Sequence, residues 1–451
     1  MSKKFFIVIL FSLVSTAFAC AQKKEISQAK DWVKKGNNLV QAETNMQNLL
    51  KDSVNRCNEK VWLILFDAVR KQYEQDNEKL YLKQQSDTSK LFINARKMFL
   101  ILEAFDSVEV ANDKTPKYRK KHADYLNSYR ANIYNGGMFF SKKQDYAKAF
   151  DFFDTYIDCH QQPIFTDSNF ANDTKLSRAS FMALYCGYKL ADANKTLKYK
   201  DLAKSDAENL DLTLQYLAET FKSENDTASY IKTLNEGFIK YPKSMYFFPR
   251  LYDYHFKTGD MNTTLRLCDS ALSSDSTNNV VLFAKSTVLL RQDKFDECIA
   301  ICKKLIAKND SLSGPNLNIG LAYYNQAVNM ENSSKHSRKN RNAINALFKN
   351  ALPFMQRYRQ LAPSEVSKWA LPLYTIYLNL NMGKEFDEID NIIKKREYPI
   401  NTFLFYQSSA SSQLAVSKQQ TRRTAINEEY ETYLIGSFDN IHHFLPTDIR
   451  R

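Results

Sequence analysis

The chain is poor in glycine. Only 10 of its 451 residues are glycine, well below the roughly 7% of an average protein. Loops that bind phosphate groups and tight strand-to-helix turns need glycine for close backbone approach and for positive φ angles. Helices do not need it, so the shortage of glycine favours an all-α fold.

Motifs that carry common enzyme chemistry are absent as well. The sequence contains no G-x-G-x-x-G, G-x-x-x-x-G-K-[ST], G-x-S-x-G or H-E-x-x-H, the patterns of dinucleotide, phosphate, hydrolase and zinc sites. The adjacent Cys159 and His160 would point in different directions on a helix. We therefore predict no catalytic residue, no cofactor and no metal, and we do not expect an enzyme.

Long apolar runs are missing beyond the N-terminus, since a membrane-spanning helix takes about 20 apolar residues. The first residues, MSKKFFIVILFSLVSTAFACAQ, have a basic start, an apolar run from Phe5 to Val14 and then small residues. That order is typical of a secretory signal. We predict a signal peptide at 1–21 and an exported protein that is periplasmic or associated with the outer membrane.

Cys20 resembles the lipid-bearing cysteine of bacterial lipoproteins, although Ala17 stands where leucine is usual. Lipidation of Cys20 and ordinary cleavage after Ala19 or Ala21 both stay open. A lipid anchor at Cys20 would be the expected contact with a membrane.

The formal net charge is +13, but basic residues mostly alternate with acids and no nucleic-acid motif accompanies them. We therefore expect no nucleic-acid partner. The densest basic cluster is a candidate docking patch for an acidic partner, formed by Lys335, Arg338, Lys339 and Arg341. The alternative is a solvated rim of a loop or of an extended helix pair.

Seven cysteines in an exported chain would suggest disulfides. Cys268, Cys298 and Cys302, however, fall on apolar faces of helical segments, where free cysteine packs as a small hydrophobic residue. We predict that these three are buried and unpaired. The pairing of Cys57, Cys159 and Cys186 stays open.

A pattern of apolar residues returns with a period of 34 residues in the stretches 211–244, 245–278 and 279–312. Apolar residues stand at positions 4, 8 and 11 and at positions 17, 21, 24 and 28, separated by polar segments such as KSEND, KTGD and RQDK. Each stretch predicts two antiparallel amphipathic helices. Neither helix can bury its apolar face alone, so the units are expected to stack.

The period, the small residues at position 8 (Ala218, Ser286 and Gly320) and Pro242 near position 32 resemble the tetratricopeptide repeat (TPR) family. The resemblance covers about 126–395 and implies an all-α fold, an α-solenoid of stacked helix-turn-helix repeats forming a superhelix. We expect an insertion near 329–345, an N-terminal helical region at 22–125 and a C-terminal cap and tail at 396–451.

The resemblance also implies a protein-binding scaffold or adaptor, in this case of the cell envelope, whose partner is an unidentified protein. The family binds partners in a concave groove lined by the first helix of each repeat. At the matching positions stand Tyr134, Tyr246, Asp253, Phe256, Phe283, Leu290, Leu317 and Tyr324. A glycan-binding surface lipoprotein and a repeat-bearing enzyme are the alternatives.

Overall fold

The computed structural model describes residues 22–112, 114–170, 172–333 and 338–395. This part of the chain forms twenty α-helices and one short 3-10 helix, and it contains no β-strand. The prediction of an all-α fold is confirmed. The chain divides after Thr233 into two compact units, called unit 1 and unit 2.

The helices of unit 1 are α1 (22–35), α2 (Leu39–Leu50), α3 (Ser53–Arg56), α4 (Glu59–Tyr81), α5 (Thr88–Ala111), α6 (Arg119–Lys142), α7 (Tyr146–Asp158), α8 (Leu176–Lys189), α9 (Ala193–Lys198), α10 (Lys200–Ala203) and α11 (Leu210–Ser223). The 3-10 helix, Pro163–Phe165, lies between α7 and α8, and α12 (Thr227–Lys240) spans the division. Unit 2 continues with α13 (Phe247–Lys257), α14 (Met261–Ser274), α15 (Asn279–Arg291), α16 (Phe295–Lys308), α17 (Ser313–Ser333), α18 (Arg338–Leu361), α19 (Val366–Asn379) and α20 (Gly383–Lys395).

Within each unit, helices that follow one another in sequence pack against each other, as α4 does on α5 and α15 on α16. This is the packing of an α-solenoid, in which each helix pair buries the apolar face of its neighbour.

The turns inside successive helix pairs share one backbone conformation. Asn225, Gly259 and Asp293 occupy the same position of the 34-residue pattern and have φ angles of 58°, 78° and 56°. A residue in this left-handed region ends a helix by redirecting the chain. Asp260, which follows Gly259, then begins α14 by accepting a hydrogen bond from the backbone N–H of Thr263 (3.0 Å). The polar segments KSEND, KTGD and RQDK are therefore the turns between paired helices.

The buried face of the second helices differs by one residue from the predicted face. Position 24 is buried in all three stretches, and Ile299 at position 21 is buried, as predicted. Ile231 and Leu265 at position 21 are only half-buried. Position 27 is buried in all three stretches, by Gly237, Ala271 and Leu305, whereas at the predicted position 28 Phe238 is buried but Leu272 and Ile306 are half-buried. The reason is the packing of the following helix. The Phe247 ring lies so close to Gly237 that a Cβ added there would be 2.2 Å from it.

Cys268, Cys298 and Cys302 are buried and unpaired, as predicted. Cys159 and Cys186 are also buried and free, and Cys57 is exposed. Burial raises the pKa of the Cys268 thiol well above its ordinary value, so this cysteine behaves as a packing residue rather than as a nucleophile.

The segment expected as an insertion, 329–345, adds helical length. α17 and α18 have 21 and 24 residues, against 13 and 14 in α15 and α16. Among the described residues, no helix is both long and apolar enough to cross a membrane. The predicted signal peptide, Cys20, Lys335 and the predicted tail at 396–451 lie outside the described residues.

Candidate functional site

Most of the predicted groove residues are packing residues. Five of the eight side chains are buried by other residues of this chain: Phe256, Phe283, Leu290, Leu317 and Tyr324. The ring of Phe283 covers Gly314, where an added Cβ would lie 2.6 Å from it, and the ring of Tyr324 lies 6.0 Å from that of Phe348. This burial contradicts the expectation that these side chains line an open groove.

The other three predicted groove residues, Tyr134, Tyr246 and Asp253, are half-buried. The Arg250 guanidinium lies 3.6 Å from the centre of the Tyr246 ring, and Asp253 forms an ion pair with Lys257 (3.6 Å). As partner-binding residues these three stay predictions.

The described part of the basic docking patch lies at the start of α18, where Arg338, Lys339 and Arg341 are exposed. They extend the first turns of a helix that is longer than its counterparts in the other pairs. This placement matches the alternative of an extended helix pair. A role in docking an acidic partner stays a prediction.

No group of His, Cys, Asp or Glu side chains that could hold a metal ion occurs in the residues that the structure describes. The histidine beside Cys159 has a different role. His160 Nε2 lies 3.2 Å from Asp173 Oδ2, in a network that holds the loop between α7 and α8.

Asp173 is the centre of that network. It accepts hydrogen bonds from Arg130 Nη2 (2.6 Å) and Tyr156 Oη (2.8 Å), and the Arg130 guanidinium lies between the rings of Tyr156 (4.2 Å) and Phe170 (4.1 Å). Burial opposes ionisation of Asp173, but the hydrogen bonds from Tyr156 and His160 and the charge of Arg130 lower its pKa. The network therefore anchors the loop between α7 and α8.

A surface of aromatic side chains in unit 1 is the best candidate site. Four half-buried tyrosines from three helices touch one another, and we call them the tyrosine cluster: Tyr146 of α7, Tyr185 and Tyr188 of α8, and Tyr216 of α11.

Helix spacing and helix packing assemble the tyrosine cluster. Tyr185 and Tyr188 are three residues apart, so they share one face of α8. α11 packs on α8 and brings the Tyr216 ring onto that of Tyr188, with centres 4.5 Å apart and planes 29° apart. Tyr146, at the first residue of α7, meets Tyr185 edge to face at 5.8 Å.

The environment of the tyrosine cluster raises the pKa of two of its hydroxyl groups. Burial, followed by a hydrogen bond with Tyr146, raises the pKa of Tyr185 to about 12. Burial and the neighbouring Tyr188 raise the pKa of Tyr216. The Lys189 ammonium lies 5.6 Å from the centre of the Tyr185 ring. The arrangement offers aromatic rings, hydroxyl groups and one nearby cation, which suits the binding of a partner.

None of the four tyrosines of the cluster is among the groove residues predicted from the sequence, although a signal was present. If Gly187 stands at position 8 of a TPR-like unit, Tyr188 falls at position 9, the position that the predicted groove residue Asp253 has in the stretch 245–278. Tyr216 could not have been assigned, because its contact with Tyr188 depends on how α11 packs against α8.

Comparisons with known proteins give solved structures only. No family model matches the chain, and no curated protein matches it. The chain is similar to the C-terminal part of a TPR repeat-containing protein from Cytophaga hutchinsonii, with a TM-score of 0.38, 12% identity, and coverage of 57% of this chain and 92% of the other. It is similar to the TPR domain of P58(IPK), with a TM-score of 0.23, 9% identity and coverage of 84% and 99%. It is also similar to the structure of Naa15/Naa10 bound to HypK-THB, with a TM-score of 0.33, 11% identity and coverage of 92% and 73%.

Proposed function

We propose that the chain is a non-catalytic protein-binding scaffold of a bacterial cell envelope and that its partner docks on the tyrosine cluster. One observation carries the proposal: four half-buried tyrosine rings from three helices form a continuous surface in unit 1. Most of the predicted groove residues of unit 2 are buried by packing within the chain, so they offer a partner less accessible surface.

Tyrosine suits this role for physical reasons. Its ring adds a large apolar contact area, while only two side-chain torsions have to be fixed when a partner binds. Aromatic anchors carry much of the binding energy at protein interfaces. In the tyrosine cluster, the stacking of Tyr188 on Tyr216 already orders both rings, which lowers the entropy cost of binding.

The site of action belongs to the same proposal. The basic start, apolar run and small residues of 1–21 support export. The mature chain would then begin at Cys20, Ala21 or Gln22, and a lipid on Cys20 would tether it to a membrane. Intact mass of the native protein distinguishes these starts, and a mature chain that retains Met1 would contradict export.

A glycan is the second candidate ligand, because tyrosine rings can also stack against sugar rings. Removal of glycans from the extract distinguishes a protein partner from a glycan ligand. A protein partner is captured whether or not its glycans have been removed, whereas a glycan ligand is lost with them.

The test uses the mature chain as bait on native envelope extract, with a photo-crosslinking residue in place of the exposed Lys189, which adjoins the tyrosine cluster. We expect a crosslink to one protein and the loss of its recovery in the double variant Tyr146→Ala, Tyr188→Ala. The matched control is Tyr81→Ala, since Tyr81 is an 85% exposed tyrosine of the same unit outside the tyrosine cluster. Unchanged recovery by the double variant, with an unchanged melting curve, would show that the tyrosine cluster is not the docking site.

A further inference from the structure

One edge of unit 1 gathers three segments that are distant in sequence. Gln22, at the start of α1, donates a hydrogen bond from Nε2 to Asp52 Oδ2 (3.3 Å) in the loop after α2. Tyr118, just before α6, donates to Glu59 Oε1 (2.8 Å) at the first residue of α4. Residues 22–25, 51–60 and 114–121 therefore lie together, and we call this surface the N-terminal edge.

The N-terminal edge is strongly basic. Its exposed cations are Lys23, Lys24, Lys51, Arg56, Lys60, Lys114, Lys117, Lys120 and Lys121. Among the described residues, none of these forms an ion pair with a carboxylate. Arg119 of the same surface differs, because it pairs with the buried Asp106 (2.8 Å).

The acidic side chains at or beside this edge are fewer, and several are already used. They are Glu25, Asp52, Glu59, Glu109, Asp124 and Asp167, of which Asp167 interacts electrostatically with Arg119. Asp52 caps α3 by accepting from the backbone N–H of Val54 (3.1 Å), and Glu59 accepts from Tyr118. The Val54 side chain, 78% exposed, adds an aliphatic group among the cations.

We propose that the N-terminal edge lies against an anionic phospholipid surface. Unpaired lysines at the end of a helical unit match a layer of phosphate groups, and cations close to such a surface are attracted within a Debye length of about 8 Å. The chain enters this edge at Gln22, two residues after Cys20. Two extended residues reach at most about 7 Å, so a lipid on Cys20 would hold the edge within that distance.

The opposite edge of unit 1 provides an internal comparison. It carries the turns α4–α5 and α6–α7, which a hydrogen bond from Lys143 Nζ to Ser89 Oγ (3.4 Å) joins. α4 has 23 residues, which at 1.5 Å per residue makes the two edges about 34 Å apart. Lys79, Lys83, Lys142 and Lys143 are exposed at that opposite edge and lie too far away to assist binding at the first edge.

The test uses the mature chain produced without its signal, hence without lipid, and measures co-sedimentation with vesicles. One vesicle preparation contains phosphatidylcholine alone, and the other contains phosphatidylglycerol in addition. The edge variant changes Lys114, Lys117, Lys120 and Lys121 to Gln. The control variant changes Lys79, Lys83, Lys142 and Lys143 to Gln, which removes the same charge from the opposite edge. All eight side chains are exposed, but Lys79 pairs with the buried Asp76 (4.0 Å) and Lys143 donates to Ser89 (3.4 Å). The melting curve of each variant is therefore compared with that of the parent chain before binding is measured.

The expected result is binding to phosphatidylglycerol vesicles that weakens with salt and is absent without the anionic lipid. Each lysine near the surface contributes a factor of about five, so the edge variant should bind more than about 100-fold more weakly, and the control variant less than about fivefold. The proposal would be overturned if both variants lost vesicle binding to the same extent or if the parent chain did not bind the phosphatidylglycerol vesicles. It would also be overturned if the parent chain bound soluble polyglutamate as tightly as it binds those vesicles. The proposal depends on the proposed export only for the tether, and recovery of a partner through the tyrosine cluster should be unchanged in the edge variant. Failure of one proposal is therefore distinguishable from failure of the other.

Discussion

The close approach of α8 and α9 at Gly187 leaves no space for a side chain. A Cβ at this position would lie 2.4 Å from the backbone nitrogen of Thr196, 2.7 Å from the carbonyl carbon of Lys195 and 2.8 Å from the Cα of Thr196. All three are backbone atoms, so no rotation of a neighbouring side chain can relieve the contact. The substitution Gly187→Ala must therefore move α9 away from α8.

The size of the effect follows from two opposing contributions. Alanine in a helix interior is favoured over glycine by up to about 1 kcal/mol. Overpacking of a close-packed interior costs about 1–3 kcal/mol, and contacts with rigid backbone place this site at the upper end. We expect Gly187→Ala to lower the local free energy of opening by about 2 kcal/mol, which corresponds to about 30-fold faster exchange.

Hydrogen exchange measured by mass spectrometry on peptides that cover α8 and α9 gives this local free energy. The control is Gly383→Ala at the first residue of α20, where no atom lies within 4 Å of the added Cβ. That variant should leave exchange of the α19 and α20 peptides unchanged or slow it by up to about fivefold, since a compatible alanine stabilises a helix by up to about 1 kcal/mol. Unchanged exchange in Gly187→Ala, or equal damage in both variants, would refute the packing of α8 on α9.

Three further predictions test the loop network, a buried carboxyl group and the register of the second helices. Asp173→Asn should leave Arg130 as an unpaired buried charge and cost about 3 kcal/mol, read out as faster proteolysis within 159–175. Asp151→Asn, which removes a 51% exposed partner of Arg96, should cost less than about 1 kcal/mol. Burial, then the charge of Asp158, raises the pKa of Glu103 to about 8. The folded state therefore holds a proton that the unfolded state releases above about pH 4.5, so this group lowers stability as pH rises from about 4.5 to 8. Glu103→Gln should remove that loss, and urea titrations at pH 5 and pH 8 that show the same gain at both would contradict it. Leu305→Ala should cost about 3 kcal/mol because Leu305 is buried (1% exposed). The same change at the adjacent half-buried Ile306 should cost clearly less, and the reverse order in thermal melts would restore the register expected from sequence.

The helix pairs could be predicted because an amphipathic helix needs only a spacing of apolar residues, and that spacing is local. The turns between the paired helices could also be predicted, since polar segments such as KTGD contain Gly259, with its left-handed backbone, and the capping residue Asp260. The buried face was predicted one residue away from the observed one at Leu265, because the spacing does not say where the next helix lies. At Gly237 the contact with the Phe247 ring of the next helix determines which face is buried.

The candidate site was less accessible to sequence reasoning. Phe283 and Tyr324 stand at positions that line a groove in the family that the chain resembles, but here they are buried. A large aromatic side chain at a groove position can instead fill the space beside a glycine of the next helix, as the Phe283 ring does at Gly314. Conversely, Tyr216 acquires its significance only from the stacking on Tyr188 of another helix.

The sequence by itself determined the all-α class, the helix pairs and the unpaired cysteines at 268, 298 and 302, because each of these depends on apolar spacing along one or two helices. The tertiary structure alone decided which aromatic residues stay half-exposed and which cations share an edge. Tyr188 meets Tyr216, and Gln22 meets Asp52, across separations in sequence that no local pattern records. Side-chain exposure and charge density are properties of a surface, and the surface exists only once helices distant in sequence have packed together.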